Sequence, residues 1–329
     1  MKKILQYLFE HKTLSREKAK EVLMNIASGQ YNESEIASFI TVFLMRSVSI
    51  EELQGFKDAL LELATPFQSN DILIDIVGTG GDGKNTFNIS TLSSFIVAGT
   101  GNKVAKHGNY GASSISGSSN VMEQLGYVFT SKPEVLQQQL DESNICFLHA
   151  PLFHPALKAV SSTRKNLAVR TFFNMLGPLV NPAKPAYQLI GVYNLEIARI
   201  YNYLLQQEAT SFTIIHGLDG YDEISLTGDT KVFKNNGEKI LSAETIGKRT
   251  VLASDLYGGA SVEEAASLFL KIIKGEGSWA QNAVVIANAA MALNCMPQYD
   301  DYETAYQLAV DSLESGKAYA SLKKLIPAL

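Results

Sequence analysis

Positive charge is scarce in this chain. Its 329 residues carry 28 Lys and Arg against 33 Asp and Glu, a formal net charge of -5, and no long basic run. Duplex binding rests on a basic face that neutralises phosphates, so no nucleic-acid partner is expected. Cysteine is equally sparse. Cys146 and Cys295 make no disulfide framework, and neither has a partner at metal-ligand spacing, which reads as a reduced, cytoplasmic protein. The longest apolar stretch, around Ala283 to Leu293, is interrupted by Asn288 and too short for a bilayer, so no membrane partner is expected. The N-terminus reaches Glu10-His11-Lys12 before any signal-peptide core could form. There is no internal repeat and no low-complexity tract. Charged residues make up 19% and hydrophobic residues 46%, a balance that argues against disorder. A length of this order suggests about two domains.

The first 65 residues or so read as helices. Ala19, Val22, Leu23 and Ile26 share a helical face, and Gly29 closes that segment. Ile36, Phe39, Ile40, Phe43 and Leu44 repeat the pattern. Ser49 with Glu52 fits a capping box, ahead of Leu53, Phe56, Leu60 and Leu63, and Pro66 is the stop. These apolar faces need a partner surface, within the chain or on another subunit. After Pro66 strands and helices alternate. Strands are predicted at Ile72–Val77, Lys103–Ala105, Ile145–Leu148, Tyr187–Val192 and Phe212–Ile215, with helices at Glu134–Leu140 and Glu196–Gln207 between them. The pattern predicts a helical domain over residues 1–66 and an α/β domain with a mostly parallel central sheet over 70–329. Part of 156–185 is open to either, and could join the helical domain in space.

Glycine is average overall, yet 10 of 24 glycines lie between Gly78 and Gly126. The same window holds 12 Ser and Thr and only five charged residues. Glycines let backbone amides approach a ligand and hydroxyls add neutral donors, so the window can build an anion nest with little formal charge. Its first segment, Gly78-Thr79-Gly80-Gly81-Asp82-Gly83-Lys84-Asn85-Thr86, runs from a strand into a predicted helix start at Asn88-Ile89-Ser90-Thr91. That places exposed amides and a helix dipole before a phosphate. It is neither a Walker A loop nor a dinucleotide fingerprint. The second segment, Lys106-His107-Gly108-Asn109-Tyr110-Gly111 onward to Asn120, follows a short strand and precedes a helix from Val121 to Leu125. Ser118 could cap that helix or touch a ligand. Loops on successive strands meet in one crevice of an α/β sheet. Asp222-Glu223, beyond the strand at Phe212, pairs carboxylates suited to a hard cation such as Mg²⁺.

Gly78-Thr79-Gly80-Gly81-Asp82, Asn88-Ile89-Ser90-Thr91, Lys106-His107-Gly108-Asn109, Gly177-Pro178-Leu179 with Asn181-Pro182, and Gly217-Leu218-Asp219-Gly220-Tyr221-Asp222-Glu223-Ile224-Ser225 occur in that order. In them the chain resembles the anthranilate phosphoribosyltransferases, over essentially its whole length. The resemblance implies a nucleoside phosphorylase/phosphoribosyltransferase-like fold and a homodimer joined through the helical domains. It implies transfer of phosphoribose from phosphoribosyl pyrophosphate to anthranilate in tryptophan biosynthesis. Gly78, Gly81, Asp82, Thr86, Asn88, Ser90, Thr91, Lys106, Ser113, Ser114 and Ser118 would then bind phosphoribosyl pyrophosphate. Ser90, Asp222 and Glu223 would hold Mg²⁺. Arg164 would clamp the anthranilate carboxylate, with Asn109 on the other side and Gly78, Gly177, His107 and His154 near by; His107, Asn109 and Arg164 are the catalytic set. Arg170 reads as support. Two positions depart from the pattern: Tyr110 stands where a basic residue is common, and Ile115 where a lysine is. A pyrimidine nucleoside phosphorylase is the nearest enzyme alternative, although free phosphate does not call for the acidic pair. A non-catalytic nucleotide-binding paralogue is the other, but it should have eroded Asp222-Glu223 or Arg164.

Overall fold

The computed structural model describes residues 1–111 and 115–329. Four helices come first: α1 (Lys2–Phe9), α2 (Arg16–Ala27), α3 (Glu33–Met45) and α4 (Ile50–Glu62). Then come β1 (Leu73–Gly78), α5 (Ile89–Gly99), β2 (Lys103–Gly108), α6 (Ser118–Gln124), α7 (Pro133–Ser143) and β3 (Ile145–His149). The short helices α8 (Ala150–Phe153), α9 (Lys158–Leu167) and α10 (Phe173–Leu176) follow. The alternation resumes with β4 (Tyr187–Gly191), α11 (Leu195–Leu205), β5 (Ser211–Gly217), β6 (Thr230–Lys234) and β7 (Gly237–Leu241). Five helices end the chain: α12 (Ala243–Gly247), α13 (Val262–Ile273), α14 (Trp279–Leu293), α15 (Tyr302–Glu314) and α16 (Lys317–Leu325).

Contacts divide these elements into two compact units, residues 1–67 with 150–184, and 68–149 with 185–329. In the first, the returning segment supplies part of the partner surface that the amphipathic helices need. Phe172 stacks on Phe56 at 4.5 Å and meets Phe39 and Phe43 edge-on, so one aromatic cluster joins α3, α4 and the segment before α10. The capping box at Ser49 forms, and its Glu52 also accepts from Leu14 N at 2.9 Å and from Arg46, which ties three stretches of chain to one buried carboxylate. Leu44, expected on the apolar face, is instead exposed beside Met45 in the last turn of α3.

The second unit is a seven-stranded sheet in the order β3-β2-β1-β4-β5-β6-β7. The first five strands are parallel; β6 and β7 add an antiparallel edge that the sequence pattern did not reveal, because their Lys and Glu residues mask the alternation. Alternate residues Ile74, Ile76, Val104, Phe147, Leu189 and Ile215 turn one sheet face into a core shared with α5 and α14. The apolar stretch Ala283–Leu293 is the inner part of α14, buried nearly throughout. Strand β1 begins at Leu73, one residue later than expected, and leaves Ile72 70% exposed. Among the described residues no helix is long and apolar enough to cross a membrane.

Candidate active site

Strand order locates a crevice before any side chain is considered. From β1 the sheet grows toward β2 on one side, and from β4 toward β5 on the other. Ligands of such sheets bind outside the carboxyl ends of the strands at that reversal. Gly78 and Gly191, the last residues of β1 and β4, lie side by side there. Both must be glycine because Asp222 lies across them. A Cβ on Gly78 would sit 2.5 Å from Asp222 Oδ2, and one on Gly191 would sit 1.6 Å from the Asp222 carbonyl oxygen. The loop after β5 thus reaches the glycine-rich turn after β1.

Two backbone amides hold the acidic pair. Gly80 N donates to Asp222 Oδ2 at 2.7 Å, and Ser90 N, in the first turn of α5, donates to Glu223 Oε1 at 3.2 Å. Asn288, buried in α14, fixes the intervening backbone through both its amide nitrogen and its oxygen to Ile224. Asp82 stands close enough to interact with Asp222, and its carboxyl accepts from Lys84 N at 3.0 Å. Burial, then the neighbouring Asp82, pushes Asp222 up to about 7. Burial followed by Asp222 and Asp82 holds Glu223 well above the usual carboxylate range, and burial likewise raises Asp82. This is a desolvated cluster of hard oxygen donors whose charges repel. Among the described residues no three His, Cys, Asp or Glu side chains form a closed cation cage. The paired carboxylates fit Mg²⁺, which takes one or two carboxylates and completes its shell with water and phosphate oxygens.

Around this pair stand most of the predicted phosphate ligands. Gly80, Gly81 and Gly83 all take positive φ, so the turn curls its amides inward in the manner of a nest. Asn88 is the first residue outside α5, yet its side chain does not cap the helix; it donates to Ser116 O at 3.2 Å and ties the two glycine-rich loops together. Thr91 is buried in the first turn of α5 with its hydroxyl unpartnered. Thr86 bridges to Tyr257. Lys106 and His107 are corrections to the sequence reading. They lie within β2, which runs to Gly108, so neither is a loop residue. Lys106 passes beneath the loops, its Nζ donating to Ile76 O at 2.6 Å and lying 3.4 Å from Ser90 Oγ. Burial lowers it to about 8, against the pull of Asp75 and Glu223. His107 is buried, with its amide on Asp75 Oδ1 at 3.2 Å. Asn109, just past the strand, is exposed.

The helix after the second loop starts at Ser118, three residues earlier than expected, and its cap is Gly117. Ser118 therefore does not cap it; its Oγ donates to Asn109 O at 3.2 Å. Ser113 and Ser114 lie outside the described residues.

In the first unit, Arg164 sits in α9, its guanidinium stacked 5.2 Å from the Phe173 ring centroid. Burial lowers its pKa, and among the described residues no carboxylate pairs with it. A desolvated guanidinium without a counter-ion is suited to an incoming anion. Gly177 follows α10, and a Cβ there would meet nothing within 4 Å. His154 is 1% exposed, and burial pushes it down to about 4, opposed by the Val180 and Leu60 backbone. Burial therefore favours the neutral form of its imidazole. Arg170 is exposed.

Three features escaped the sequence reading. Thr79 and Ser116 bury unpartnered hydroxyl groups in the glycine-rich loops. Asn120 accepts from both Gly111 N and Gly117 N at 3.0 Å, closing the base of the second loop. Gly258 N donates to Asn85 O at 2.8 Å and Asn85 donates to Gly259 O at 2.9 Å, so this segment backs the first loop. The Gly258-Gly259 doublet was the available signal for the last.

The chain matches the α/β domain of a glycosyl transferase family over residues 70–319 and that family's helical bundle domain over residues 2–64. It is 55% identical to an anthranilate phosphoribosyltransferase of Christiangramia forsetii, covering 99% of this chain and 98% of the relative. Identity to an anthranilate phosphoribosyltransferase of Bacteroides thetaiotaomicron is also 55%, over 99% of this chain and 98% of that one. The crystal structure of anthranilate phosphoribosyltransferase from Thermus thermophilus superposes with a TM-score of 0.91 at 32% identity, covering 98% of each chain. The Saccharomyces cerevisiae enzyme in complex with phosphoribosyl pyrophosphate and Mg gives 0.90 at 26% identity, covering 98% of this chain and 96% of that one.

Proposed function

Because this chain belongs to the anthranilate phosphoribosyltransferase family, we propose that it transfers the phosphoribosyl group of phosphoribosyl pyrophosphate to the amine of anthranilate. The products are N-(5-phosphoribosyl)anthranilate and pyrophosphate, the second step from chorismate to tryptophan. The observation that carries this reading is the buried Asp222–Glu223 pair, tied by Gly80 N and Ser90 N to a glycine-rich turn at the sheet's reversal. A polyphosphate crevice with its own acidic pair calls for a divalent cation, and simple phosphorolysis does not. Neither a nucleoside phosphorylase nor a non-catalytic paralogue is favoured by the relatives named above.

Displacement at the anomeric carbon asks for stabilisation of the departing pyrophosphate and alignment of the acceptor amine. An aromatic amine is neutral and nucleophilic at pH 7, so no strong general base is needed. Amides of the Gly78–Gly83 turn and the start of α5 would bind the phosphates, with the hydroxyl groups of Thr86, Thr91 and Ser118 and the Asn88 turn. Lys106, beneath Ser90, would contribute a placed positive charge. Asp222, Glu223 and the Ser90 hydroxyl would hold Mg²⁺, which supplies positive charge to the leaving group when bound. Arg164 would grip the anthranilate carboxylate and Asn109 would orient the acceptor. We also propose a homodimer joined through the helical unit, supported by exposed Phe9, Leu44 and Met45, the last 84% exposed. A cytoplasmic location belongs to the same proposal and accords with two buried free thiols.

The test is the fall in anthranilate fluorescence on adding phosphoribosyl pyrophosphate and Mg²⁺. Turnover that stops on chelation is expected; a folded protein that consumes no anthranilate under those conditions refutes the assignment.

A further inference from the structure

Tyr110 is exposed, yet three contacts tether it. Its Oη donates a 2.6 Å hydrogen bond to Glu123 Oε1 on α6. Its ring meets His149, at the end of β3, edge-on with centroids 4.9 Å apart. His149 is itself fixed and buried: Phe129 stacks on it at 4.3 Å, and Ser119 Oγ lies 2.9 Å from its Nδ1. One exposed side chain therefore bridges two elements of secondary structure. On the backbone side, Tyr110 N donates to Asn109 Oδ1 at 2.8 Å, while Asn109 O accepts from Ser118 Oγ and Ser119 N, both at 3.2 Å. Any displacement of Tyr110 is passed directly to the Asn109 side chain.

We propose that Tyr110 is a positioning residue for Asn109, acting through Glu123 and His149. The proposal rests on the transferase reading above. A phenol donating to a carboxylate is a charge-assisted bond and fixes direction as well as distance. An edge-on ring pair adds a second point of attachment that a flexible basic side chain would not make. Glu123 holds the phenol above its usual pKa, so the hydroxyl stays a donor through neutral and mildly alkaline conditions. The loop thereby gains order from hydrogen bonding and packing, at the cost of the local positive charge that a lysine or arginine would bring to a polyphosphate.

The test compares Tyr110→Phe, Tyr110→Ala, Tyr110→Arg and Glu123→Ala in steady-state kinetics, thermal melts and amide hydrogen exchange. Tyr110→Phe keeps the ring and loses only the Glu123 bond; because Asn109 faces the acceptor, its KM for anthranilate should rise about three- to tenfold with the KM for phosphoribosyl pyrophosphate little changed. Tyr110→Ala should lose more, and Tyr110→Arg, which can pair with Glu123, should recover most of the KM. Tyr110→Phe combined with Glu123→Ala should be no worse than either alone. Lower melting points with unaltered KM in both the Phe and Ala variants would reduce Tyr110 to a structural residue and overturn the proposal. An inactive wild type would overturn the transferase reading instead. Even then, exchange at Asn109–Gly111 should quicken in Tyr110→Phe, and unchanged exchange there would sink the latch.

Discussion

Gly191→Ala is the sharpest probe of how this site is assembled. The added Cβ would sit 1.6 Å from the Asp222 carbonyl oxygen and 2.7 Å from its carbon, both backbone atoms with no rotamer to escape into. Relief requires the Asp222–Glu223 backbone, or the end of β4, to retreat by something on the order of an ångström. β4 is held on both edges, by β1 and β5, and Thr79 N donates to Gly191 O at 2.9 Å. The acidic loop is the freer side. It should carry the shift, which would lengthen the Gly80–Asp222 and Ser90–Glu223 bonds. Overpacking of this kind costs about 1–3 kcal/mol of stability, so the melting point should fall by a few degrees while the protein still folds. Misplacing a group that orients the reacting centre by ~1 Å costs about 10²-fold. In the anthranilate fluorescence assay, kcat/KM should drop by about that factor and the Mg²⁺ concentration for half-maximal rate should rise. Wild-type kinetics and an unmoved Mg²⁺ midpoint would mean that Asp222 does not hold the cation, and the metal assignment would fall with it.

Other perturbations separate the proposed roles. Arg164→Ala removes the unpaired guanidinium in α9 and should raise the KM for anthranilate about 10- to 100-fold, with little change for phosphoribosyl pyrophosphate; the reverse split would refute the carboxylate clamp. Asp222→Asn with Glu223→Gln removes two repelling buried carboxylates, so this variant should melt above wild type in a chelator yet respond poorly to Mg²⁺. A lower melting point in chelator would show that the cluster is not strained. His154 binds its proton near 4 when folded and near 6.5 when unfolded. Its stabilising share is therefore complete above pH 6.5 and is lost as pH falls toward 4, about 2 kcal/mol of it by pH 5. In urea titrations, wild type should lose more stability between pH 7 and pH 5 than His154→Gln does; equal losses would place His154 in contact with water.

What could be read from sequence was whatever is local in the chain. Ser49 with Glu52 announced a helix start because a capping box is closed within four residues. The run at Ile72–Val77 announced a buried strand because its apolar side chains do not alternate, and all but Ile72 fall in β1. The crowding of Gly78–Gly83 announced an anion nest because three of those glycines need positive φ. The failures are non-local. Lys106 and His107 read as loop residues because polar side chains interrupt β2. They are strand residues because buried Asp75 and Ser90, from a neighbouring strand and helix, give them polar partners. Ser118 could be read as a cap or as a ligand contact; Gly117 takes the cap position, while Asn120 closes the loop from within the helix. Gly191 carried no signal at all, since its glycine is demanded by Asp222, which is thirty-one residues further on.

The charge of the whole chain and the chemistry of its crevice point in opposite directions, and the geometry explains how both can hold. Gly80 N and Ser90 N are the kind of donors that would face a phosphate, but each is bonded to a carboxylate of the same protein. Adding a polyphosphate to that arrangement would bring like charges together in a poorly hydrated space, where repulsion is only weakly screened. Lys106 cannot offset this alone, since burial already lowers its proton affinity and Glu223 already draws on its charge. A divalent cation between carboxylates and phosphates reverses the sign of each of those contacts. It would turn the acidic pair from a barrier into a substrate ligand. On the proposed assignment, the acidic pair in the crevice is what makes Mg²⁺ necessary, and a chain of net charge -5 could bind two anions.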